Sequence, residues 1–520
     1  MSVTIKSPAQ VMTGWLGRVK KEHRTAFVSA FVMGLLIHMP ALLSDIPNHD
    51  GLSSMYFDQN MITSGRWFLM VACGFSSFYT IPWVIGLLGL LFLSCAAVAL
   101  TDFLELKDAP AIVSVSGLLV SFPALASTFA YVFTMDGYML ALCLAVAAVA
   151  CTKNWKKGFI PGAVCLAFSM GIYQAYLPFA ILLCMYGVAM VFMDGGSLWE
   201  RCRAALRYLY MGLLGVALYY VILQVLLLIQ GKELASYQGI DGLGTGAAGW
   251  DWDGIAHIYR DFVGFSLKGN VVFHGPLSFA ACALLLCAAL LAVCRLALRR
   301  KWWKCPGFFA IMAVMAVAAP FATNVILLIS PELTYHLLMR YQWVVWLILA
   351  VALVSRFAGE DAKGNLLQWV GLGAALVLVF HYAVTDNIGY SNLQRKYEKT
   401  YAYCARLLDR IEQTEGYYQG IPIAMVGVVG DDPYPVTDIT LPVTSNMIGL
   451  NGDFLLYTGE NYRIFMQNYL GATLNIMTVE EMGDIYYSPE YIGMESFPAE
   501  SSVKIVDGIM YIKTENAGRD

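Results

Sequence analysis

The sequence predicts a polytopic α-helical membrane protein of about eleven spans with a small α/β domain at its C-terminal end. Hydrophobic residues make up 58% of the 520 residues, and only 13% are charged. Apolar runs of about 20 residues, the length that crosses a bilayer, recur as far as residue 384. Beyond residue 390 charged residues become frequent and such runs stop. We therefore divide the chain into a membrane domain, residues 1–390, and a C-terminal domain, residues 391–520.

Eleven apolar segments are the predicted spans: residues 25–43, 82–101, 111–130, 136–152, 158–172, 175–193, 208–229, 276–297, 306–329, 341–357 and 365–384. With a cytoplasmic N-terminus, the inner segments carry 19 Lys and Arg residues and the outer loops before the C-terminal domain carry 5. This bias follows the positive-inside rule. The sequence thus predicts a multi-pass protein with its N-terminus inside and its C-terminal domain extracytoplasmic.

Two long outer loops, residues 44–81 and 230–274, separate some of these spans. The first is expected to contain a half-buried helix around Arg66–Phe78. The second contains a Gly-rich stretch, residues 239–249, which we expect to be mobile because glycine leaves the backbone unrestrained. No strand precedes this stretch, so it is not a dinucleotide fingerprint. An amphipathic helix is predicted after it, from Trp250 to Phe265.

The C-terminal domain reads as alternating helices and short strands. The predicted elements are a helix over 391–414, a strand at Ile421–Val428, a turn at Asp431–Pro435, a helix at Tyr462–Leu470 and a hairpin of Val503–Val506 and Met510–Ile512. The domain shows no nucleophile motif and no metal-ligand spacing, so it is predicted to be structural or to face an acceptor. Nothing in the chain has the basic tract of a nucleic-acid-binding protein.

Ionisable residues are concentrated at the predicted outer face. The first outer loop holds Asp45, His49, Asp50, Asp58 and Arg66. Other loops bring further polar residues to the same face: Asp136, Tyr173, Gln174, Glu332, His336 and Arg340. Ionisable groups at a membrane are costly and usually functional, so we predict that these segments meet in one cavity.

Several of these residues also have purely structural interpretations. Asp45 and Asp136 suit helix termini, where a carboxylate interacts well with the helix dipole or ends a helix. Tyr173 and Gln174 suit a broken helical hairpin, Arg340 suits an interface anchor, and Asp58, Glu332 and His336 suit solvated or interfacial positions. Asp50 and Arg66 are the least well explained in this way.

An aspartate and arginines beside a membrane match the needs of sugar transfer from a lipid phosphate. Arginine pairs with phosphate through a rigid, permanently charged fork. A carboxylate takes the proton from the attacking hydroxyl. The spacing leaves open whether Asp50 or Asp45 is that base.

Short motifs along the chain resemble the bacterial Gtr-type O-antigen glucosyltransferases. They are Asn48-His-Asp50, Thr63-Ser-Gly-Arg-Trp67, Ser169-Met-Gly-Ile-Tyr-Gln174, Tyr341-Gln342 after Arg340, and the closing Phe497-Pro498 and Ser502–Lys513. Each is weak alone, whereas their order and topological placement make the set more specific.

The resemblance implies a GT-C type membrane fold in the bacterial cytoplasmic (inner) membrane. It implies inverting transfer of a hexose, most simply glucose, from an undecaprenyl-phosphate-linked donor to a cell-envelope polysaccharide such as O-antigen. It carries Asp50 over as the base, paired in its loop with Asp45, and Arg66 and Arg340 as phosphate partners. His49, Asp136, Tyr173 and Gln174 are expected at the substrate. No metal ligands are predicted, and because some relatives need a divalent metal, metal dependence stays open.

Transport of lipid-linked sugars and glycan polymerisation or ligation are the two alternative functions. A transporter or flippase of lipid-linked sugars would place ionisable residues near mid-bilayer in two related halves, and no such repeat is evident. A glycan polymerase or ligase would be expected to have an arginine-rich outer loop, whereas residues 230–274 contain only Lys232, Arg260 and Lys268.

Overall fold

A computed structural model describes residues 7–514 except 18, 55–57, 75, 77, 80, 194–196, 236–251, 269–271, 273–274, 303–305, 331–332, 360, 428–439 and 453–454. The predicted Gly-rich stretch, the turn at Asp431–Pro435 and Glu332 lie outside the described residues.

The chain is mostly helical up to residue 413. The helices are α1 Pro8–Leu16, α2 Lys21–Leu43, α3 His49–Ser54, α4 Leu69–Ala72, α5 Pro82–Leu104, α6 Ala109–Ser121, α7 Pro123–Phe129, α8 Met135–Asn154, α9 Phe159–Ile172, α10 Leu177–Met193, α11 Leu198–Gln230, α12 Trp252–Lys268, α13 Pro276–Arg300, α14 Pro306–Thr323, α15 Ile326–Ile329, α16 Trp343–Phe357 and α17 Ala362–Gln413.

The membrane character of this bundle is confirmed, whereas the count of eleven spans stays a prediction. All eleven predicted segments fall on helices. Within the described part of the chain, eight helices are long and apolar enough to cross a membrane, and α6 with α7 forms a further pair bent by 47°. The bend lies at Phe122, whose extended backbone suits the residue before Pro123. Two predicted spans, on α9 and α14, are shorter apolar helices.

The C-terminal part builds a second core beside the bundle. It contains β1 Pro422–Ala424, α18 Leu441–Thr444, α19 Gly459–Leu470, β2 Asn475–Ile476, α20 Val479–Met482, α21 Pro489–Ile492, β3 Val503–Val506 and β4 Ile509–Ile512. The sheet order is β2-β1-β4-β3, in which β1 runs parallel to β2 and β4, and β3 pairs antiparallel with β4. The predicted hairpin is therefore confirmed, with Asp507 and Gly508 both at positive φ as a tight primed turn requires.

Helix α17 joins the two cores. The sequence predicts a span that ends at residue 384 and a separate helix from 391, whereas the structure has one helix of 52 residues. Its second half packs Tyr403, Leu407 and Ile411 into the core of the C-terminal part. A continuous helix fixes the direction in which this part projects from the bundle.

Candidate functional site

A cavity of about 410 Å³ lies at the end of the bundle where α3 and residues 58–72 are found. We call it the loop-face cavity. It is lined by His49, Asp50, Gln59, Met61, Arg66, Tyr131, Phe133, Thr134, Tyr138, Tyr173, His336, Leu338, Met339 and Ile448. The predicted convergence of the first outer loop with later segments is thus seen in the structure.

Helix α3 presents Asp50 and His49 to this cavity. The helix begins after Asn48, whose side-chain Oδ1 accepts a hydrogen bond from Gly51 N at 2.8 Å and so satisfies a first-turn N–H. His49 Nε2 lies 3.5 Å from Asp50 Oδ1, and the Asp50 side chain is 53% exposed. Asp50 is therefore a carboxylate that both solvent and a substrate hydroxyl can reach.

Two histidines face Asp50 and are kept neutral by their surroundings. Burial lowers the pKa of His49 below its ordinary value of 6.5, against the raising effect of the Asp50 carboxylate. Burial also lowers the pKa of His336, which Asp50 again opposes. Near neutral pH both rings are thus uncharged and can donate or accept hydrogen bonds.

Arg66 follows a tight turn that buried side chains hold in place. Gly65 has φ +76°, in the left-handed region that glycine adopts without strain. Gln174 Nε2 donates to Ser64 O at 3.1 Å, and Tyr219 OH donates to Gly65 O at 3.0 Å. Gln174 is buried against this turn and does not line the cavity, so the structure places it as a support for Arg66.

The side chain of Arg66 lies on a pair of tyrosines. Its guanidinium carbon is 4.9 Å from the centre of the Tyr173 ring, and its Nη1 donates to Tyr138 OH at 3.3 Å. The Tyr138 and Tyr173 rings are stacked, with centroids 4.4 Å apart and planes 3° apart. This stack orients a permanent positive charge at the cavity wall.

Two of the motif segments contact each other directly behind this wall. Phe68 N donates to Gly171 O at 2.7 Å. Trp67 packs so closely on Gly171 that a Cβ there would lie 2.6 Å from the indole ring. The loop of Arg66 and the end of α9 therefore form one packed unit.

Arg340 is held away from the cavity by α12. Its Nη1 and Nη2 donate to the two carboxylate oxygens of Asp261, each at 2.7 Å. Its guanidinium carbon also lies 3.8 Å from the Tyr335 ring centre and 4.6 Å from that of Phe265. The predicted phosphate contact of Arg340 stays a prediction, and it requires this pair to open. The predicted amphipathic helix is confirmed as α12.

Asp45 and Asp136 do not line the loop-face cavity either. Asp45 is exposed, and its charge acts on Tyr397 of α17. Asp136 is buried in the first turn of α8, where it accepts hydrogen bonds from Ser76 Oγ and Gly137 N, each at 2.9 Å. The structure thus gives Asp136 the helix-terminus role, and its predicted substrate contact stays untested.

Of the predicted site residues, the cavity unites His49, Asp50, Arg66 and Tyr173. The lining residues that sequence reasoning missed are mainly aromatic or apolar, such as Tyr131, Tyr138 and Ile448. Tyr138 lies two residues after Asp136 at a helix start and could have been found there. Ile448 carries no local signal. No group of three or more His, Cys, Asp or Glu among the described residues has the geometry to hold a metal ion.

Comparison with known proteins identifies the family. The sequence model described as Glucosyl transferase GtrII matches residues 39–355, which is more than half of the chain and contains every predicted site residue. No curated protein and no solved structure matches the chain significantly. The chain therefore belongs to the glucosyl transferase GtrII family and is a membrane protein of the glucosyltransferase class.

Proposed function

We propose that the protein transfers a hexose, most simply glucose, from a polyprenyl-phosphate donor to an extracytoplasmic cell-envelope glycan with inversion at the anomeric carbon. The observation that carries this proposal is the pairing of a half-exposed carboxylate, Asp50, with a tyrosine-supported guanidinium, Arg66, in one cavity. Such a cavity offers a base and an anion partner to the same substrate.

Asp50 is the base in this proposal. It accepts the proton of the acceptor hydroxyl while that oxygen attacks the anomeric carbon of the donor sugar. The bond from the anomeric carbon to the phosphate oxygen breaks, and polyprenyl phosphate leaves with the electron pair. Asp45 is exposed outside the cavity lining, so the geometry favours Asp50 over Asp45.

Arg66 is the partner of the leaving phosphate in this proposal. Charge grows on the phosphate oxygens as the bond breaks, and a preorganised guanidinium stabilises that charge. The stacked Tyr138 and Tyr173 rings keep Arg66 in place without neutralising it. Neutral His49 and His336 supply hydrogen bonds to sugar hydroxyls beside Asp50.

A lateral groove supports a lipid-linked donor. A space of about 460 Å³ lies between α2, α7 and α17, with Ala41, Phe129, Ala130 and Val132 among its lining residues. Ala130 and Val132 alternate along the chain with Tyr131 and Phe133, which line the loop-face cavity. The groove and the cavity therefore lie on opposite sides of residues 130–133. A donor with its apolar tail in the groove could place its sugar phosphate in the cavity.

The proposal is tested by assaying transfer from radiolabelled undecaprenyl-phosphate-glucose to cell-envelope glycan with purified protein. Asp50→Asn should reduce transfer at least about a hundredfold and leave donor binding intact. Asp58→Asn is the matched control, because Asp58 lies in the same loop, accepts from Asn60 N and does not line the cavity. Full activity of Asp50→Asn together with an inactive Asp45→Asn would move the base to Asp45. Absence of donor binding in the unmodified protein would reject the proposal.

Transport of a lipid-linked sugar is the second candidate, and one buried carboxyl favours it. Asp386 lies fully buried in α17, and neither of its oxygens has a hydrogen-bond partner among the described residues. Asp386 lies two residues past the last predicted span in the same continuous helix, and buried ionisable groups of membrane helices are a feature of transport pathways. Asp386→Asn should leave glucose transfer unchanged, whereas loss of lipid-linked sugar translocation in vesicles would support the transporter.

A further inference from the structure

A second cavity of about 570 Å³ lies in the C-terminal part. We call it the sheet-edge cavity. Its lining residues lie at the carboxyl ends of β1 and β2, at the start of α19, in α20 and in the turn after α20, and include Thr458, Gly459, Glu460, Thr478, Glu480 and Tyr487. Strands β1 and β2 are parallel, so both carboxyl ends meet at this edge. Ligands of open α/β sheets bind at such edges.

Two glycines allow two chain segments to pack closely at one side of the cavity. A Cβ on Gly427, which has φ +91°, would lie 2.2 Å from Gly459 N, and a Cβ on Gly459 would lie 2.9 Å from Met425 O. Gly459 N donates to Val426 O at 3.2 Å. The loop after β1 and the start of α19 therefore pack backbone against backbone at this point.

The walls have the chemistry of a carbohydrate site. Tyr487 is 72% exposed and stands at 82° to Tyr486, with ring centroids 5.2 Å apart. A tyrosine offers an apolar face to sugar C–H groups and a hydroxyl at its edge. The carboxylates of Glu460 and Glu480 and the hydroxyl of Thr478 are groups that can accept hydrogen bonds from sugar hydroxyls. An apolar pocket with a few polar groups is the usual form of a small-molecule site.

The negative charge of the cavity lining favours neutral glycans over anionic ones. Its described lining residues include two glutamates and no lysine or arginine. Glu460 is paired with Arg463, whose Nε donates to it at 2.7 Å, whereas Glu480 is exposed. Like charges across a binding surface oppose association. A phosphate-rich polymer is therefore disfavoured and a neutral glycan is favoured.

One short segment of the chain connects the sheet-edge cavity with the loop-face cavity. Tyr457 packs edge-on against the His49 ring, with centroids 5.2 Å apart. The three residues that follow Tyr457 line the sheet-edge cavity. The segment 457–460 therefore contacts His49 of the loop-face cavity at one end and lines the sheet-edge cavity at the other.

We propose that the sheet-edge cavity binds the acceptor glycan at neutral sugars remote from the hydroxyl that receives the new residue. This inference rests on the proposed function for its role, and it goes beyond that function by assigning a site outside residues 39–355, the range that the family matches. Binding of a remote part of a substrate holds the reacting end in place and raises the rate at low acceptor concentration.

The binding test uses the full chain in detergent without donor. Saturation-transfer NMR is recorded with maltohexaose, cellohexaose and chitohexaose, and with poly(glycerol phosphate) as the anionic comparison. We expect at least one neutral hexasaccharide to bind, with affinity reduced about tenfold in Tyr487→Ala, the size expected for loss of an aromatic contact. Tyr418→Ala is the matched control, because Tyr418 is a 57% exposed tyrosine of the same part of the chain that does not line the cavity. Binding of none of the neutral sugars, binding of the anionic polymer alone, or unchanged binding in Tyr487→Ala overturns the proposal.

A second measurement separates this site from the reaction centre. In the transfer assay, Tyr487→Ala should raise KM for the polymer acceptor about tenfold and leave kcat and donor affinity unchanged. Sugar binding that depends on Tyr487 in a protein without transferase activity would uphold the site and reject the proposed function. Normal transfer with an unchanged acceptor KM in Tyr487→Ala would uphold the proposed function and reject the sheet-edge site.

Discussion

Gly65 decides where the guanidinium of Arg66 lies. Its φ of +76° turns the chain, and its missing side chain leaves room for Gln174 and Tyr219. A Cβ at this position would lie 2.5 Å from both Gln174 Nε2 and Tyr219 OH. The turn and its two supports therefore depend on glycine for two separate reasons.

Gly65→Ala should displace Arg66 and weaken donor binding about tenfold or more, the effect of losing a charge-assisted contact. The matched control is Gly231→Ala, because Gly231 also has a positive φ, +61°, with nothing within 4 Å of its Cβ position. Both substitutions strain the backbone by about 1–2 kcal/mol, so a comparable loss of donor affinity in both would contradict the role of the buried supports. Donor affinity is measured by equilibrium binding of labelled lipid.

The two histidines beside Asp50 make the loop-face cavity sensitive to acid. Because burial lowers the pKa of His49 and His336 below the ordinary 6.5, the unfolded chain binds more protons than the folded chain just below that pH. Their contribution to stability is complete above pH 6.5 and is lost as pH falls through the folded values. The nearby charges of Asp50, Lys396 and Arg340 modify this effect without reversing it.

Thermal unfolding between pH 7 and pH 5 should therefore show a falling melting temperature. The double variant His49→Gln and His336→Gln should show a smaller fall, because glutamine does not titrate. His257→Gln is the control, since His257 lies on α12 and does not line the cavity. An equal slope in the double variant and the unmodified protein would contradict the assignment.

At the scale of elements, α12 closes over the segment that leads into α16. Its Asp261 holds Arg340, and the two side chains are only 16% and 10% exposed. Asn324, between α14 and α15, also donates to Asp261 Oδ2 at 2.9 Å. The helix is thus part of the support for the turn that carries His336 and Met339 to the cavity.

Removing one member of this pair should be costly, because the other charge stays buried. Asp261→Asn and Arg340→Ala should each lower the free energy of unfolding by about 3–5 kcal/mol. The double variant Asp261→Asn and Arg340→Gln should recover part of the loss. Chemical denaturation of the purified variants measures these values.

The same variants test the predicted phosphate contact of Arg340. As members of a structural ion pair, Asp261→Asn and Arg340→Ala should lose similar donor affinity when the folded fractions are compared. A loss of donor affinity confined to Arg340→Ala would instead establish that Arg340 leaves Asp261 to bind the phosphate.

At the scale of the whole molecule, the C-terminal part completes the site that the bundle begins. Leu52 of α3 belongs to the C-terminal core, Ile448 lines the loop-face cavity, and Tyr457 packs on His49. Gly449, at φ +85°, lies so close to the bundle that a Cβ would be 3.0 Å from Ala130 and from Tyr131. The helix that carries Asp50 is therefore held by contacts with both the bundle and the C-terminal part.

Gly449→Ala should push the C-terminal part away from the bundle and lower kcat about tenfold, with donor binding less affected. Gly452→Ala is the matched control, because Gly452 lies in the same segment at φ +72° with nothing within 4 Å. Equal kcat values for the two variants would show that this close contact does not position Asp50.

Much of the fold follows from local patterns, since hydrophobic length predicts membrane helices and Asp-Gly between apolar runs predicts a hairpin. The membrane character, α12 and the β3–β4 hairpin were predicted in this way. The fusion of the last span with the following helix in α17 was not, because residues 385–390, Thr-Asp-Asn-Ile-Gly-Tyr, are mostly poor helix formers and locally favour a break.

The sequence by itself determined the protein's class, its family and the loop that contains Asp50 and Arg66, because these depend on composition, length and local order. Only the tertiary structure decided which polar residues share a cavity. Gln174, Arg340, Asp45 and Asp136 have the same residue types as the lining residues, yet packing places each of them elsewhere. The contributions of Ile448 and Tyr457 likewise come from contacts about 400 residues apart in the chain, which no local pattern encodes.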